Sequence, residues 1–162
     1  MIPYDTKTRF REAYHAASLS VNPTTQVGAV LQTLSGEVLT AANQPVLGQS
    51  VHADDLEERR YIAVEHAERA VIYQAAAKGI STTGAVLYAP WSACVNCARA
   101  IVSSGIVEVH RHLESFVRSN PDWMNDVQDG ERIMLDAGVR VRDHSGPVGA
   151  VPIMFNREVW MP

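Results

Sequence analysis

From residue 66 to residue 143, helical segments alternate with short apolar runs rich in β-forming residues. Gly79, Gly105 and Gly138 mark the ends of the helical segments, where glycine is common. Strands that alternate with helices predict a sheet that has parallel members and carries helices on both faces. The predicted helices cover 66–79, 94–105 and 121–138, and the predicted strands cover 85–90, 106–112 and 139–143.

A further helix and a hairpin precede this alternation. Residues 5–20 place apolar side chains at helical spacing. The members of this apolar face are Phe10, Ala13, Tyr14, Ala17 and Leu19. The β-rich runs 26–34 and 37–43 meet at Ser35-Gly36, which predicts a β-hairpin. We therefore expect an α/β fold, a three-layer α/β/α sandwich around a mixed five-stranded sheet.

Composition narrows the class of protein. A length of 162 residues suits one domain, residues 1–162, with a sizeable core. The net charge of −4 argues against a broad nucleic-acid-binding surface, which is normally basic. The early residues are polar and charged, and no apolar run approaches the length of a membrane span. We expect a cytoplasmic protein whose thiols stay reduced.

Cys94 and Cys97 are the only cysteines, and they open a predicted helix directly after a predicted strand. Their position alone suits a zinc site, a redox pair or two packed core side chains equally well. His66 and Glu68, which open the preceding helix, favour zinc. Cysteines at i and i+3 share a helix face, and a helix N-terminus stabilises the thiolate that binds metal. His66 would supply a third ligand and leave a fourth position for water, as in catalytic zinc sites.

Glu68 has a separate predicted role. Zinc lowers the pKa of its bound water toward about 7, and a nearby carboxylate can carry the released proton. Residues i and i+2 do not share a helix face. His66 and Glu68 can therefore act together only if His66 lies at the helix cap, where the backbone is not yet helical.

This arrangement, His66-x-Glu68 followed by Cys94-x-x-Cys97, resembles the signature of the zinc-dependent cytidine and deoxycytidylate deaminase superfamily. The stretch NPTTQVGAVL resembles that family's D-P-S-T-K-V-G-A-V, and residues 66–109 resemble the matching deoxycytidylate deaminase segment. The resemblance covers roughly residues 5–142. It implies a cytidine-deaminase-like fold, zinc bound by His66, Cys94 and Cys97, and Glu68 as general acid/base.

The resemblance also implies a reaction and its contacts. Zinc-bound water attacks C4 of the base, so that dCMP becomes dUMP and ammonia. The implied substrate contacts are Asn43, Ala67, Trp91 and Ser92. Asn43 also suits a turn at a strand end, and Trp91 also suits the core. With no spare cysteine for a structural site, we expect one zinc per chain, in a homo-oligomer that is a dimer or a hexamer.

The long stretch between Asn43 and His66 is similar to the loop with which deoxycytidylate deaminases help to hold the 5′-phosphate. Residues 44–58 are predicted to form a functional loop. His52, Arg59, Arg60 and Arg111 are phosphate candidates. Alternative substrates are cytidine, 5-modified dCMP or tRNA adenosine. A catalytically silent nucleotide-binding subunit is a further alternative, although it would need no proton shuttle.

Three other features carry predictions. Ala41-Ala42-Asn43-Gln44 replaces the G-Y-N-G stretch that contributes to a dCTP and dTTP effector site in many deoxycytidylate deaminases, so we expect no such regulation. His110 and His112 flank Arg111, and we favour a solvated strand end there over a metal site. Residues 155–160 suit a packing strand or a subunit contact.

Overall fold

The computed structural model describes residues 4–46 and 62–162. The helices of this part are α1 (Tyr4–Ser18), α2 (Ala67–Ala77), α3 (Val95–Ser103), α4 (Leu113–Val117) and α5 (Met124–Asp136), with a 3-10 turn at Pro121–Trp123. Its strands are β1 (Gly28–Gln32), β2 (Val38–Ala42), β3 (Gln44–Pro45), β4 (Val64–Glu65), β5 (Val86–Tyr88), β6 (Glu108–His112), β7 (Arg140–His144), β8 (Ile153–Phe155) and β9 (Glu158–Trp160).

The central sheet has five strands in the order β2-β1-β5-β6-β7. Strand β1 runs antiparallel to both β2 and β5, whereas β5, β6 and β7 run parallel to one another. The hairpin predicted at Ser35-Gly36 joins β1 to β2, and Gly36 takes a φ of 95° that favours glycine. The predicted mixed five-stranded sheet is confirmed.

Alternating side chains of the sheet pack into two separate cores. Val30 packs on one face with Phe10 and Tyr14 of α1. Leu31 and Leu87 point to the other face, which α2, α3 and α5 cover. The sheet is therefore sandwiched between helical layers, and the three-layer α/β/α architecture is confirmed.

Some element boundaries differ from the sequence prediction. Helix α1 ends at Ser18, and Leu19 beyond it is 70% exposed, so its assignment to the apolar face is wrong. The helix predicted from residue 121 begins as a 3-10 turn, and α5 proper starts at Met124. The segment 155–160 divides between the end of β8, a turn and β9, and Phe155 is buried in the core on the α1 side of the sheet whereas Val159 is 71% exposed.

The prediction of a solvated strand end at His110, Arg111 and His112 is wrong. These residues are only 9%, 4% and 1% exposed, because β6 lies between β5 and β7. The His110 Nδ1 atom lies 2.8 Å from Nε2 of His144, and the His112 Nδ1 atom lies 2.6 Å from the Tyr14 hydroxyl. Tertiary contacts satisfy these polar groups, so they need no solvent.

Within the described ranges, no helix combines the length and the apolar character that crossing a membrane requires.

Candidate metal centre and active site

The helices α2 and α3 position the four predicted catalytic side chains. His66 is the N-cap of α2, with extended backbone angles φ −70° and ψ 148°. The condition for His66 and Glu68 to act together is therefore met, because the histidine precedes the helical backbone. Cys94 is the N-cap of α3, and its sulfur accepts a hydrogen bond from the backbone N–H of Cys97 at 3.5 Å.

The ligand atoms of His66, Cys94 and Cys97 all lie within 4.8 Å of one another. The His66 Nδ1 atom is 3.6 Å from the Cys94 sulfur and 3.5 Å from the Cys97 sulfur. A tetrahedral zinc ion, with Zn–S of about 2.3 Å and Zn–N of about 2.0–2.1 Å, separates sulfur from nitrogen by about 3.6 Å. The donor set and its spacing therefore fit zinc.

The electrostatics of this cluster favour a thiolate at Cys94. Hydrogen bonding from the Cys97 thiol, and then from His66, lowers the pKa of Cys94 to about 3, against the opposing effect of burial. The hydrogen bond with Cys94 raises the pKa of His66. The thiolate is the form of cysteine that binds metal.

Glu68 lies beside the ligands and is only 3% exposed. Its Oε2 atom is 3.7 Å from the Cys97 sulfur. Burial raises the pKa of Glu68, because a carboxylate loses its hydration there. A carboxyl group whose pKa is moved toward neutrality can both accept and return a proton.

Beside this cluster lies a cleft of about 580 Å³. The implied substrate contacts Asn43, Ala67, Trp91 and Ser92 all line it, together with His66, Glu68 and Cys94. The cleft thus brings together strand ends, helix starts and loops that are far apart in the sequence.

Residues 4–112 match the family model of the cytidine and deoxycytidylate deaminase zinc-binding region. The chain belongs to this family. An uncharacterised deaminase of Aliivibrio fischeri, from the luxG 3′ region, is 31% identical to it over 144 residues, which cover 87% of this chain and 94% of the relative.

Two phage proteins are also similar to this chain. The deoxycytidylate deaminase of Enterobacteria phage T2 is 36% identical over 76 residues, which are 47% of this chain and 36% of the phage protein. The dCMP deaminase of cyanophage S-TIM5 superposes with TM-scores of 0.69 in its apo form and 0.67 in its complex with dCMP and dUMP. Both comparisons cover 89% of this chain and 100% of the other at 20% identity, so they show a common fold.

Two of the residues expected to contact the substrate, Asn43 and Trp91, also have structural roles. The Asn43 side chain accepts a hydrogen bond from the Val27 N–H and donates one to the Thr25 carbonyl, both at 2.9 Å. It therefore fixes the loop that forms one wall of the cleft. Trp91 stacks on Phe155 with ring centroids 4.2 Å apart, so it contacts the core and the cleft at once.

Arg111 does not line the cleft. Its guanidinium lies 2.8 Å from Glu131 and 2.7 Å from Asp143, and it donates to the Ser92 hydroxyl at 3.4 Å. The structure therefore does not support Arg111 as a phosphate contact. The other phosphate candidates, His52, Arg59 and Arg60, and most of the predicted loop 44–58, lie outside the described residues.

Arg69 is a residue of the site that the sequence reasoning missed. Its Nη1 atom lies 3.8 Å from the Cys97 sulfur, and Glu65 holds the guanidinium by hydrogen bond and ion pair. The four-residue spacing of Glu65 and Arg69 was the available signal in the sequence, although Glu65 lies in β4, before the helix begins. A guanidinium beside this sulfur offsets part of the negative charge that thiolates would bring to the cluster.

The sequence reasoning also missed much of the cleft wall. The additional lining residues are Asn22, Thr24, Thr25, Val27, Val64, Arg118, Ser119, Asn120, Pro121, Trp123, Val127, Asn156 and Arg157. Many of them lie beyond the segment that the family model matches. No spacing within the chain connects positions 118 or 157 to the catalytic motifs.

Proposed function

We propose that this chain converts dCMP to dUMP and ammonia by hydrolysis. The observation that carries the proposal is the convergence of His66, Cys94 and Cys97 beside a cleft that His66, Cys94 and the buried Glu68 line. Family membership supports deamination as the reaction class. The dCMP deaminases among its relatives, and the long stretch between Asn43 and His66, favour dCMP over a bare nucleoside.

In this proposal His66, Cys94 and Cys97 hold one zinc ion per chain. Bound zinc lowers the pKa of a coordinated water toward about 7 and so supplies a nucleophile near neutral pH. The N-cap positions of His66 and Cys94 fix two of the ligands to the starts of rigid helices. Positioning on helices suits a site that must keep its geometry through turnover.

Glu68 carries the proton in the proposed reaction. Its carboxylate takes a proton from the attacking water as the C4–O bond forms and delivers it to N3 of the ring. It then takes the remaining hydroxyl proton and donates it to the amino nitrogen, so that the C4–N bond breaks, C4=O forms and ammonia leaves. The burial that raises the pKa of Glu68 makes the return of the proton easier. Trp91, held by its stacking on Phe155, offers an apolar wall to the pyrimidine ring.

The decisive assay measures ammonia release by the purified, zinc-loaded protein on dCMP, CMP, deoxycytidine, 5-methyl-dCMP and tRNA. We expect dCMP to have the highest kcat/KM and the protein to contain about one zinc per chain. Zinc-loaded protein that releases ammonia from no substrate would establish the catalytically silent alternative. Highest activity on tRNA would place the chain with the adenosine deaminases.

Glu68→Gln tests the proton shuttle. We expect zinc content and dUMP binding to persist while kcat on dCMP falls by about 10² or more, the lower range for a lost general acid/base. Asp129→Asn, the same acid-to-amide change at an exposed position of α5, is the matched control. Near-normal turnover by Glu68→Gln would show that another group moves the proton.

A further inference from the structure

Arg111 is a buried cation that no step of the proposed reaction uses. Its side chain is only 5% exposed. It lies on the face of β6 that carries Val109 and that α5 covers, whereas the neighbouring His112 faces α1. Burying a charge costs much free energy unless the charge is paired and hydrogen-bonded. The partners of this guanidinium therefore show what it holds in place.

Two carboxylates fix the guanidinium. The Nε and Nη2 atoms donate to Asp143, the register partner of Arg111 on β7, at 2.7 Å and 2.9 Å. This is the bidentate geometry of a strong arginine–carboxylate contact. The Nη1 atom donates to Glu131 of α5 at 2.8 Å, and the guanidinium carbon lies 5.4 Å from the ring centroid of Phe116 in α4. Strand β7 and two helices thus set the direction of the group.

One N–H of this fixed group reaches the segment that presents a metal ligand. The Nη1 atom of Arg111 also donates to the Ser92 hydroxyl oxygen, at 3.4 Å. Ser92 lies two residues before Cys94, is 4% exposed and lines the cleft. A serine hydroxyl has one proton to donate and two lone pairs that accept. Since the cation occupies the oxygen as an acceptor, the Ser92 proton is available only to some other acceptor.

Strand β6 also holds the start of the same segment, through its backbone. The Ala89 N–H donates to the His110 carbonyl, and the His112 N–H donates to the Pro90 carbonyl, both at 3.0 Å. The side-chain contact from Arg111 comes two residues after Pro90 in the segment, nearer to α3. One strand therefore fixes the path from β5 to α3 at three points, the last of which lies in the lining of the cleft.

We propose that Arg111 is a positioning residue that fixes the Ser92 hydroxyl as a hydrogen-bond donor to the pyrimidine nucleotide in the cleft; this inference rests on the proposed function. Arg111 itself touches neither the nucleotide nor the metal. The carboxylates of Glu131 and Asp143 offset its charge, so its contribution is the direction and polarisation of the hydroxyl. Only a planar, forked cation contacts two carboxylates and a hydroxyl at once.

A double-mutant cycle tests this inference with kcat/KM for dCMP in Arg111→Lys, in Ser92→Ala and in the doubly substituted protein. Lysine keeps a positive charge between Glu131 and Asp143 but lacks the fork that reaches the hydroxyl. We expect Arg111→Lys to lower kcat/KM about tenfold when Ser92 is present, the lower end for a charge-assisted hydrogen bond because this one is long. In the Ser92→Ala background the same change should cost less than about twofold. A purely structural role of Arg111 would cost the same in both backgrounds.

The control is Arg142→Lys, the same change at a side chain of β7 that is 56% exposed, and it should leave kcat/KM unchanged. Arg111→Gln is the second variant, since glutamine cannot supply a cation to the hydroxyl. It leaves two carboxylates without their partner, so its cycle is measured below its Tm, and zinc content is determined for every variant. Equal losses with and without Ser92, in both Arg111 variants, would overturn the inference.

Calorimetric titration with dUMP separates this inference from the proposed function, since binding needs no turnover. If the zinc-loaded protein deaminates no cytosine compound, the same cycle is measured on the Kd of dUMP. Coupling between Arg111 and Ser92 in that Kd supports the positioning role even though the proposed reaction has failed. Additive effects on the Kd, or no binding of dUMP by the unmodified protein, would overturn it.

Discussion

Substitution of Gly130 by alanine should weaken zinc binding, although glycine has no side chain that could bind the metal. It lies in α5, directly against the backbone that leads into α3. A Cβ atom added there would lie 2.5 Å from the Ala93 carbonyl oxygen and 3.0 Å from the Cys94 carbonyl carbon. Backbone atoms cannot rotate away as the end of a side chain can. Gly130→Ala must therefore displace α5 or the segment that presents the Cys94 ligand.

The expected magnitude follows from two opposing effects. At an exposed helical position, replacing glycine by alanine would stabilise the fold by about 1 kcal/mol. Overpacking a close contact costs about 1–3 kcal/mol, and the short distance to backbone places Gly130→Ala at the upper end. The net loss is about 2 kcal/mol, or about 4–8 °C in Tm for a chain of this size. Displacement of Cys94 should also weaken zinc binding about 10- to 100-fold, as for other residues that orient metal ligands.

The assay combines chelator competition for zinc with thermal unfolding of the zinc-loaded and metal-free protein. Gln128→Ala, exposed on the same helix, controls for helix propensity and should retain both properties. Gly28→Ala controls for overpacking alone, since its added Cβ would lie 1.9 Å from the Ala13 carbonyl on the α1 side of the sheet. We expect Gly28→Ala to lose stability but not zinc affinity. Wild-type zinc affinity in Gly130→Ala would refute the argument, as would equal loss of zinc in Gly28→Ala.

Two further predictions concern pH and regulation. Burial lowers the pKa of His110 and of His112 in the folded chain. Below pH about 6.5 the unfolded chain therefore binds more protons than the folded chain, and the free energy of unfolding falls as the pH falls. The loss is at most about 1.4 kcal/mol per pH unit for each histidine. A Tm that stays constant from pH 7.5 to 5.5 would contradict their burial in the neutral form. Ala41 and Ala42, buried in β2, stand where regulated relatives have glycine and tyrosine, so we expect hyperbolic kinetics in dCMP that neither dCTP nor dTTP changes. A sigmoidal saturation curve that dCTP makes hyperbolic would contradict this prediction.

The arrangement of the sheet and the grouping of His66, Cys94 and Cys97 could be predicted from sequence because both depend on local patterns. Apolar spacing distinguishes strand from helix over a few residues. Cys94 and Cys97 lie one helical turn apart, so their convergence needs only that one helix forms. The alternation of strands and helices then places the start of α2, with His66, beside the start of α3.

Burial and the composition of the cleft could not be predicted in this way. His110 and His112 are polar residues at a strand end, where exposure is the usual expectation. They are buried because His144 and Tyr14, which are distant in the sequence, provide hydrogen-bond partners. The polarity of a side chain sets the free energy of burying it, but distant partners decide whether that free energy is compensated.

Local patterns in the sequence predict the layered fold, the family and the group of side chains that could hold a metal ion. Only tertiary packing brings Arg118 and Arg157 into the lining of the same cleft as residues far away in the chain, and leaves Arg111 out of it. A hydrogen bond such as that from the Arg157 N–H to the Thr24 carbonyl joins segments at opposite ends of the sequence. Local spacing carries no information about such a pair, because it forms only after the whole sheet and its helices have packed.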